Sequence, residues 1–405
     1  MKRMLLSLGV GTVLVAAAPA IAQDNDWSEI QRGLYLVRAG DCAACHTVKG
    51  QAPYSGGYSL ETPFGTIYSA NLTPDQDTGL GSWSEADFYR AMNEGISKDG
   101  SHLYPAFPYT HFTYATRDDI DAIFTYLNSL DPVRNRVPEP DLTWPLGWRF
   151  LMTGWNVMNF EDETFQPDPD RSEAYNRGKY LVEGLMHCGM CHSPKNVIGA
   201  EKGGDSRFTG GTAEGWLAPP LTGGPREGIG DWSEEDLVAF LKEGRNARTI
   251  AFGPMADVVK HSTQYMRDDD LQAIAAYIKA LPENDDADAG ETDEIDDDTQ
   301  ALGELIYATQ CSACHASDGS GVAHMLPPLK GSSFVQADNP QSVVKLILEG
   351  GQGVATDQYP TQHAMPSFAW KLSDDEVAAV ATFVRNAFGN QAPAVSAEEV
   401  ADYRH

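Results

Sequence analysis

Apolar positions along the chain recur with the 3.6-residue period of amphipathic helices, and polar stretches separate them. This period predicts a helix at residues 28–38 and further helices at 117–130, 267–281 and 374–387. Acidic residues crowd the first turn of the last three, as the helix dipole favours. Strand signals are weak throughout. The pattern therefore predicts a mainly α-helical protein.

The same order of helices occurs three times, which indicates internal repeats. The segment RGLYLV at 32–37 matches RGKYLV at 177–182, and GELIY at 303–307 begins a third copy. A small residue followed by an aromatic one predicts a close helix crossing. Three aromatic residues of the closing helices occupy equivalent positions, where we expect them to pack against the first helix: Tyr126, Tyr277 and Phe383.

A second match lies between the first and last helix of the first two repeats. GSWSEADF at 81–88 corresponds to GDWSEEDL at 230–237, so Ser84 and Ser233 are predicted helix N-caps. Each of these helices ends at Glu-Gly, where Gly95 and Gly244 suit a left-handed C-cap. The third repeat offers a helix at 340–349 without the Trp-Ser signal.

These matches divide the chain into three domains. The repeats run from 23 to 168, from 169 to 281 and from 299 to 389, and the first ends in an aromatic-rich extension. Residues 282–298 include ten Asp or Glu, so we expect an extended, solvated linker there. Residues 390–405 form a polar tail in this interpretation.

Each repeat carries one Cys-x-x-Cys-His motif after its first helix, and the three motifs use all six cysteines. This is the attachment signature of c-type haem, in which two thiols form thioether bonds and the histidine reaches the iron. A zinc site would combine two cysteine pairs, or one pair with a distant histidine pair. We therefore predict three covalent haems with these residues: Cys42, Cys45, His46; Cys188, Cys191, His192; and Cys311, Cys314, His315.

The second nitrogen of each proximal histidine should donate to a backbone carbonyl. We expect that carbonyl in segments 70–73, 219–223 and 327–331. The ligand on the other side of the iron decides between electron transfer and ligand chemistry. Met255 and Met365 stand before the last helix of repeats two and three and are the expected ligands; Met266 is a rival to Met255 but is more typical of packing.

The first repeat departs from this pattern because Phe107 occupies the place of the methionine. Phenylalanine cannot bind iron, so the ligand must come from elsewhere or the iron is open. Met152, in the aromatic-rich extension, is the expected ligand if that extension folds back over the haem. The alternatives are these side chains: His102, His111 and Met158.

The N-terminus predicts the compartment. Lys2 and Arg3 precede an apolar run at 4–18 and an Ala-x-Ala site, so we expect a signal peptide cleaved after Ala22 and a periplasmic protein. No later segment reaches the roughly 20 apolar residues of a membrane span. The net charge of −29 argues against nucleic acid as a partner and suits association with a basic one.

Together these features resemble the triheme cytochrome c subunits of periplasmic membrane-associated dehydrogenases. That family serves alcohol, gluconate, sorbitol, fructose and aldehyde dehydrogenases. The similarity rests on RG-x-YLV before two haem motifs and on segments 69–75, 103–109, 261–265 and 365–372. It implies three tandem class I cytochrome c domains. It also implies electron flow from a flavin, quinoprotein or molybdenum catalytic subunit to ubiquinone or a terminal oxidase, with peripheral docking at the membrane.

Two other functions stay open at this point. A haem enzyme acting on a small ligand at the first haem is motivated by Phe107. A free-standing periplasmic electron carrier would fit the acidic composition. No Gly-x-Gly-x-x-Gly fingerprint and no nucleophile elbow occurs, so a substrate-oxidising site of the chain's own is not expected.

Overall fold

The chain folds into three helical domains in sequence order, in a computed structural model that describes residues 25–224, 226–283 and 295–404. The prediction of a mainly α-helical protein is confirmed. The predicted signal peptide and most of the predicted acidic linker lie outside the described residues. The last two residues assigned to that linker already belong to the first helix of domain 3, which begins at Asp297.

Domain 1 contains these elements: α1 (Asn25–Ala39), α2 (Cys42–His46), β1 (Ser59–Thr62), β2 (Gly65–Tyr68), α3 (Glu85–Glu94), α4 (Tyr109–Phe112), α5 (Arg117–Asn128), β3 (Asp141–Leu142) and α6 (Leu151–Asn159). Domain 2 contains these: α7 (Glu173–Lys179), α8 (Gly189–His192), β4 (Gly211–Ala213), β5 (Trp216–Ala218), α9 (Glu234–Glu243), α10 (Pro254–His261) and α11 (Asp268–Lys279).

Domain 3 contains these elements: α12 (Asp297–Ile306), α13 (Ser312–His315), α14 (Ser333–Gln336), α15 (Gln341–Glu349), β6 (Gly351–Gln352), β7 (Ala364–Met365), α16 (Asp374–Asn386) and α17 (Ala397–Tyr403). In domains 2 and 3 the first helix continues as a π-helix into the haem motif, at Tyr180–Leu185 and Tyr307–Cys311. These π-helical turns were not predicted from the sequence.

The first helix of each domain crosses α5, α11 or α16 at a glycine. A Cβ added at Gly33, Gly178 or Gly303 would lie 2.0, 2.0 or 2.4 Å from a backbone oxygen of the crossing helix. Such distances are far inside van der Waals contact, so only glycine allows this approach. The side chains beside the crossings are the predicted aromatic ones: Tyr126, Tyr277 and Phe383. The expected packing of these aromatics against the first helices is confirmed.

Helix caps follow the sequence signals. Ser84 and Ser233 each accept a hydrogen bond from the backbone of the Asp three residues later, and that Asp accepts one in return. Gly95 and Gly244 end the same helices with φ of 66° and 71°, in the left-handed region. Both predictions are confirmed, and these caps fix where α3 and α9 begin and end.

Short antiparallel hairpins supplement the helices, and the sequence reading missed them. The pair β1–β2 is joined by β3, which places Leu142 opposite Gly65. Two further hairpins consist of β4–β5 and β6–β7. The pairing of β3 matters most, because it returns the extension after α5 to the surface of domain 1.

The segment predicted as a polar tail is instead folded onto domain 3. Helix α17 packs against α15 and α16, and the side chains of Val395 and Val400 are buried beneath it. Ser396 and Glu399 form a capping box at its start. The prediction of a tail was wrong because these few apolar residues cover the outer face of α16.

Domains 1 and 2 share one hydrophobic core, whereas domain 3 has a core of its own. Domain 3 is attached to domain 2 by polar and aromatic contacts and by a small apolar cluster of Val354 with Ala251 and Val259. The backbone N–H of Leu217 donates to Ser342 Oγ at 2.8 Å, and the rings of Phe252 and Phe334 lie 4.6 Å apart. Among the described residues, no helix is long and apolar enough to cross a membrane.

Candidate haem sites

The three Cys-x-x-Cys-His motifs adopt the same local structure. In each, the segment that runs from the first cysteine to the histidine forms or caps one short helix: α2, α8 or α13. The histidine follows the first cysteine by four residues, so the two side chains lie on one helical face. All six cysteines are free thiols rather than disulfides. The arrangement leaves the thiols available for thioether bonds.

The histidines of the motifs are oriented by backbone carbonyls. His46 Nδ1 lies 2.7 Å from the carbonyl oxygen of Ala70, and His192 Nδ1 lies 2.7 Å from that of Pro219. His315 Nδ1 lies 3.1 Å from the carbonyl oxygen of Pro327. A carbonyl can only accept, so Nδ1 carries the proton and Nε2 is left with its lone pair. The predicted carbonyl partners are confirmed in all three domains.

Burial shapes the protonation of these groups. Burial lowers the pKa of His46, His192 and His315, while the hydrogen bond to the carbonyl opposes it. The imidazoles are therefore neutral, the form in which histidine binds metal. In the described part of the chain, no hydrogen-bond partner occupies their Nε2 atoms. These features fit a covalently attached haem, with the histidine as its iron ligand.

The first cysteine of each motif is partly buried. Burial raises the pKa of Cys42 and Cys188 to about 12, and that of Cys311 to about 11. These thiols stay protonated at neutral pH. They therefore lack the electropositive setting of redox-active or metal-binding thiolates. This environment favours the haem-attachment interpretation over a redox or zinc site.

Met255 and Met365 lie in the segments expected to reach the other side of the iron. Met255 is the second residue of α10 and packs against the shared core beside Phe240. Met365 ends β7 and is partly buried. Met266 is 1% exposed and packs inside the core, as we expected for a residue that does not bind iron. Iron ligation by Met255 and Met365 stays a prediction.

The aromatic-rich extension of domain 1 folds back as expected. Met152, on α6, is buried in a cluster with Tyr104, Tyr109 and Trp155, and Phe107 packs against this cluster. Phe107 also packs against the core shared by domains 1 and 2. The structure therefore brings Met152 next to the residue that replaces the expected methionine. Ligation by Met152 itself remains a prediction.

The alternative ligands of the first haem have other partners. His111 Nδ1 lies 2.8 Å from the carbonyl oxygen of Glu183, and its Nε2 lies 2.9 Å from Glu201 Oε2. Both ring nitrogens are thus used in contacts with domain 2. His102 Nδ1 lies 3.5 Å from Asn156 Nδ2, and Met158 is 69% exposed. Met152 is the buried sulfur among these candidates.

A tyrosine of domain 1 reaches across to a buried carboxylate of domain 2. Tyr35 Oη donates to Asp270 Oδ2 at 2.5 Å, and Arg177 Nε binds Asp270 Oδ1 at 2.7 Å. Burial favours the neutral acid, but the hydrogen bonds from Arg177 and Tyr35 outweigh it and hold the pKa of Asp270 below its usual range. Burial raises the pKa of Tyr35 to about 12. The tyrosine therefore stays protonated and donates to a charged acceptor.

The same contact occurs in the reverse direction. Tyr180 of domain 2 donates to Asp119 of domain 1, and Arg32 binds that carboxylate at 2.5 Å. The repeated Arg-Gly-x-Tyr segment thus pairs its arginine within its own domain and its tyrosine across the interface. Sequence reading found the repeat but missed this function. A comparison with domain 3 could have revealed it, because that domain has Leu302 and Leu305 where the first two domains have the arginine and the tyrosine.

Comparison with known proteins matches the same three domains. The family model for cytochrome c matches residues 30–131, 175–282 and 300–388. The gluconate 2-dehydrogenase cytochrome c subunit of Pantoea cypripedii is 40% identical over 423 residues, which cover 100% of this chain and 95% of that protein.

Two further relatives are similar over most of their length. The alcohol dehydrogenase (quinone) cytochrome c subunit of Gluconacetobacter polyoxogenes is 39% identical, covering 100% of this chain and 90% of that protein. The fructose dehydrogenase cytochrome subunit of Gluconobacter japonicus is 34% identical, covering 93% of this chain and 82% of that protein.

Proposed function

Because the chain belongs to the cytochrome c family and carries three c-type haems, we propose that it is the electron-transfer subunit of a periplasmic dehydrogenase complex. The observation that carries this proposal is the match to the cytochrome c subunit of a gluconate 2-dehydrogenase. The match covers 100% of this chain and 95% of that relative, so it includes all three haem domains and their order. Relatives of two other dehydrogenases support the same class.

The chain's own residues hold each haem and set its electronic surroundings. Two cysteines would attach each porphyrin and the histidine Nε2 would bind its iron, while Nδ1 is fixed by a carbonyl at 2.7 to 3.1 Å. That hydrogen bond keeps the ring in one orientation and raises its basicity as a ligand. When bound, a haem iron exchanges one electron between its ferrous and ferric states. Methionine on the other side would raise the reduction potential.

We further propose the direction of electron flow and the location. Electrons would come from a catalytic subunit of the flavin, quinoprotein or molybdenum type. They would leave to ubiquinone or a terminal oxidase, at the outer face of the cytoplasmic membrane. The shared core of domains 1 and 2 supports a fixed arrangement of the first two haems, because those domains cannot move apart without exposing it. A fixed arrangement suits transfer from haem to haem within one chain.

Purification from the native bacterium tests this proposal. The chain would be tagged at its C-terminus, extracted with mild detergent and isolated, and the bound proteins identified by mass spectrometry. We expect one larger catalytic subunit in equal amount. A tagged periplasmic cytochrome of unrelated function provides the control for unspecific capture. Isolation of the chain alone, as a monomer at native expression level, would favour the free-standing carrier and contradict the proposal.

A further inference from the structure

Large exposed apolar side chains are concentrated on the extension of domain 1. Trp144, Trp148 and Phe150 are 78%, 52% and 65% exposed, and Val157 and Met158 on α6 are 83% and 69% exposed. The ring centroids of Trp144 and Trp148 are 6.0 Å apart, and Trp148 stacks on Phe150 at 5.9 Å. We call Trp144, Trp148 and Phe150 the aromatic patch. Apolar groups clustered on a surface in this way mark an interaction site.

The aromatic patch is held in place from beneath. Trp155 is buried, and its indole N–H donates to the carbonyl of Ile198 in domain 2 at 3.1 Å. The hydroxyl of Tyr104 donates to the carbonyl of Gly147 at 3.1 Å. Arg149 stacks on Tyr104 and donates to the carbonyl of His102 at 2.9 Å. The segment that carries the patch is therefore anchored both before α6 and on α6 itself.

The charge around the patch differs from that of the rest of the chain. Residues 143–160 contain one charged side chain, Arg149, and no Asp or Glu, in a chain whose net charge is −29. An acidic surface is repelled by anionic lipid head groups, and residues 143–160 add no negative charge to that repulsion. A protein partner attracted by charge would instead contact the acidic faces. The patch thus suits an occupant whose binding is driven by the transfer of apolar side chains out of water.

We propose that the aromatic patch is where this protein inserts into the interfacial region of a phospholipid bilayer. Tryptophan suits that region, because its ring enters the apolar layer while its N–H stays at head-group level. In the described structure, the indole N–H groups of Trp144 and Trp148 have no partner within the protein. The inference rests on the proposed function, which gives the insertion its role. Insertion of the patch would bring domain 1 close to a lipid-dissolved quinone acceptor.

Vesicle binding tests the inference. The purified mature haem-containing chain would be sedimented with phosphatidylcholine vesicles, with and without phosphatidylglycerol. We expect binding to neutral vesicles that high salt does not remove, and binding weakened on the order of tenfold or more in Trp144→Ser/Trp148→Ser, from the apolar area withdrawn. Trp370→Ser is the matched control, because Trp370 is 81% exposed but lies in domain 3. We expect that variant to bind like the wild type.

Three outcomes would overturn the inference. One is the absence of vesicle binding by the wild type, and another is equal weakening by Trp370→Ser. The third is a double variant that keeps vesicle binding but no longer captures a catalytic subunit, which would assign the patch to a protein partner. Vesicle binding without any catalytic subunit in the native purification would instead contradict the proposed function and leave the inference standing. Unchanged haem absorbance shows that a variant is folded.

Discussion

At the scale of single residues, the first haem domain differs from the other two because it has Phe107 where they have Met255 and Met365. Met152 is buried beside Phe107, which stands where the other domains have a methionine. We expect Met152→Ala to lower the reduction potential of one haem by roughly a hundred millivolts, because axial ligands set haem potentials over a range of about 0.8 V. Potentiometric titration of the three haems measures this shift.

Met158→Ala is the control for that experiment. Met158 lies on the same helix but is 69% exposed, so its removal should leave all three potentials unchanged. If Met152→Ala also leaves them unchanged, Met152 only packs.

Carbon monoxide provides a second check, because a closed iron in the reduced wild type should bind it slowly. Fast binding to one haem of the wild type would support the alternative of a haem enzyme.

We expect His187 to make the stability of the folded protein depend on pH. Burial, and to a smaller extent the electrostatic effect of nearby His111, lower the pKa of His187 to about 4. Between about pH 6.5 and 4 the unfolded chain therefore binds a proton that the folded chain does not. Stability is full above pH 6.5 and falls as the pH drops, by about 3 kcal/mol from this group. Denaturant unfolding at pH 7 and pH 4.5 measures the loss.

His187→Asn isolates this contribution. His187 has φ of 42°, and asparagine tolerates that left-handed region better than most residues. The variant should lose less stability than the wild type over the same pH interval. An identical pH dependence would show that carboxylates, such as Asp270, account for the acid sensitivity instead.

At the scale of elements, the repeated Arg-Gly-x-Tyr segment joins domains 1 and 2. Tyr35→Phe and Tyr180→Phe each remove a hydrogen bond to a buried carboxylate. Each should lower the free energy of unfolding by about 1–2 kcal/mol. Leu305→Phe is the control, because Leu305 occupies the equivalent position in domain 3 and is 61% exposed. A cost for Leu305→Phe as large as that of Tyr35→Phe would contradict the interface role.

The helix crossing in domain 1 depends on Gly33. Gly33→Ala would place a Cβ 2.0 Å from the carbonyl oxygen of Ala122, so α1 and α5 must separate. We expect a loss of about 2–4 kcal/mol in unfolding free energy, comparable to overpacking a core. Gly154→Ala has nothing within 4 Å of its new Cβ and lies within α6, so it should stabilise slightly. Thermal unfolding compares the two.

The sequence predicts local features better than contacts between distant segments. Capping boxes at Ser84 and Ser233 and the closing helices follow from short-range patterns, and the histidine–carbonyl pairs follow from comparing the three repeats. The hairpin strands have two to four residues, too few for a periodic signal to show. Helix α17 was missed because its burial depends on α16. The pairing of Tyr35 with Asp270 joins residues that are 235 positions apart, which no local pattern reveals.

At the scale of the whole molecule, the three domains are not equivalent. Domains 1 and 2 form one unit with a shared core and reciprocal tyrosine contacts, whereas domain 3 has a separate core. This organisation suits a chain that receives electrons at one end and releases them at the other. The acidic net charge of −29 would favour a catalytic subunit with a basic docking face.

Substrate-driven reduction of the haems tests the central claim most directly. The complex isolated from the native bacterium would be mixed without oxygen with gluconate, alcohols or sugars while the haem absorbance is recorded. We expect that one substrate reduces all three haems, and that the chain freed of its catalytic subunit is not reduced by the same substrate. Reduction of the isolated chain by that substrate, or an intact complex whose haems stay oxidised with every dehydrogenase substrate, would contradict it.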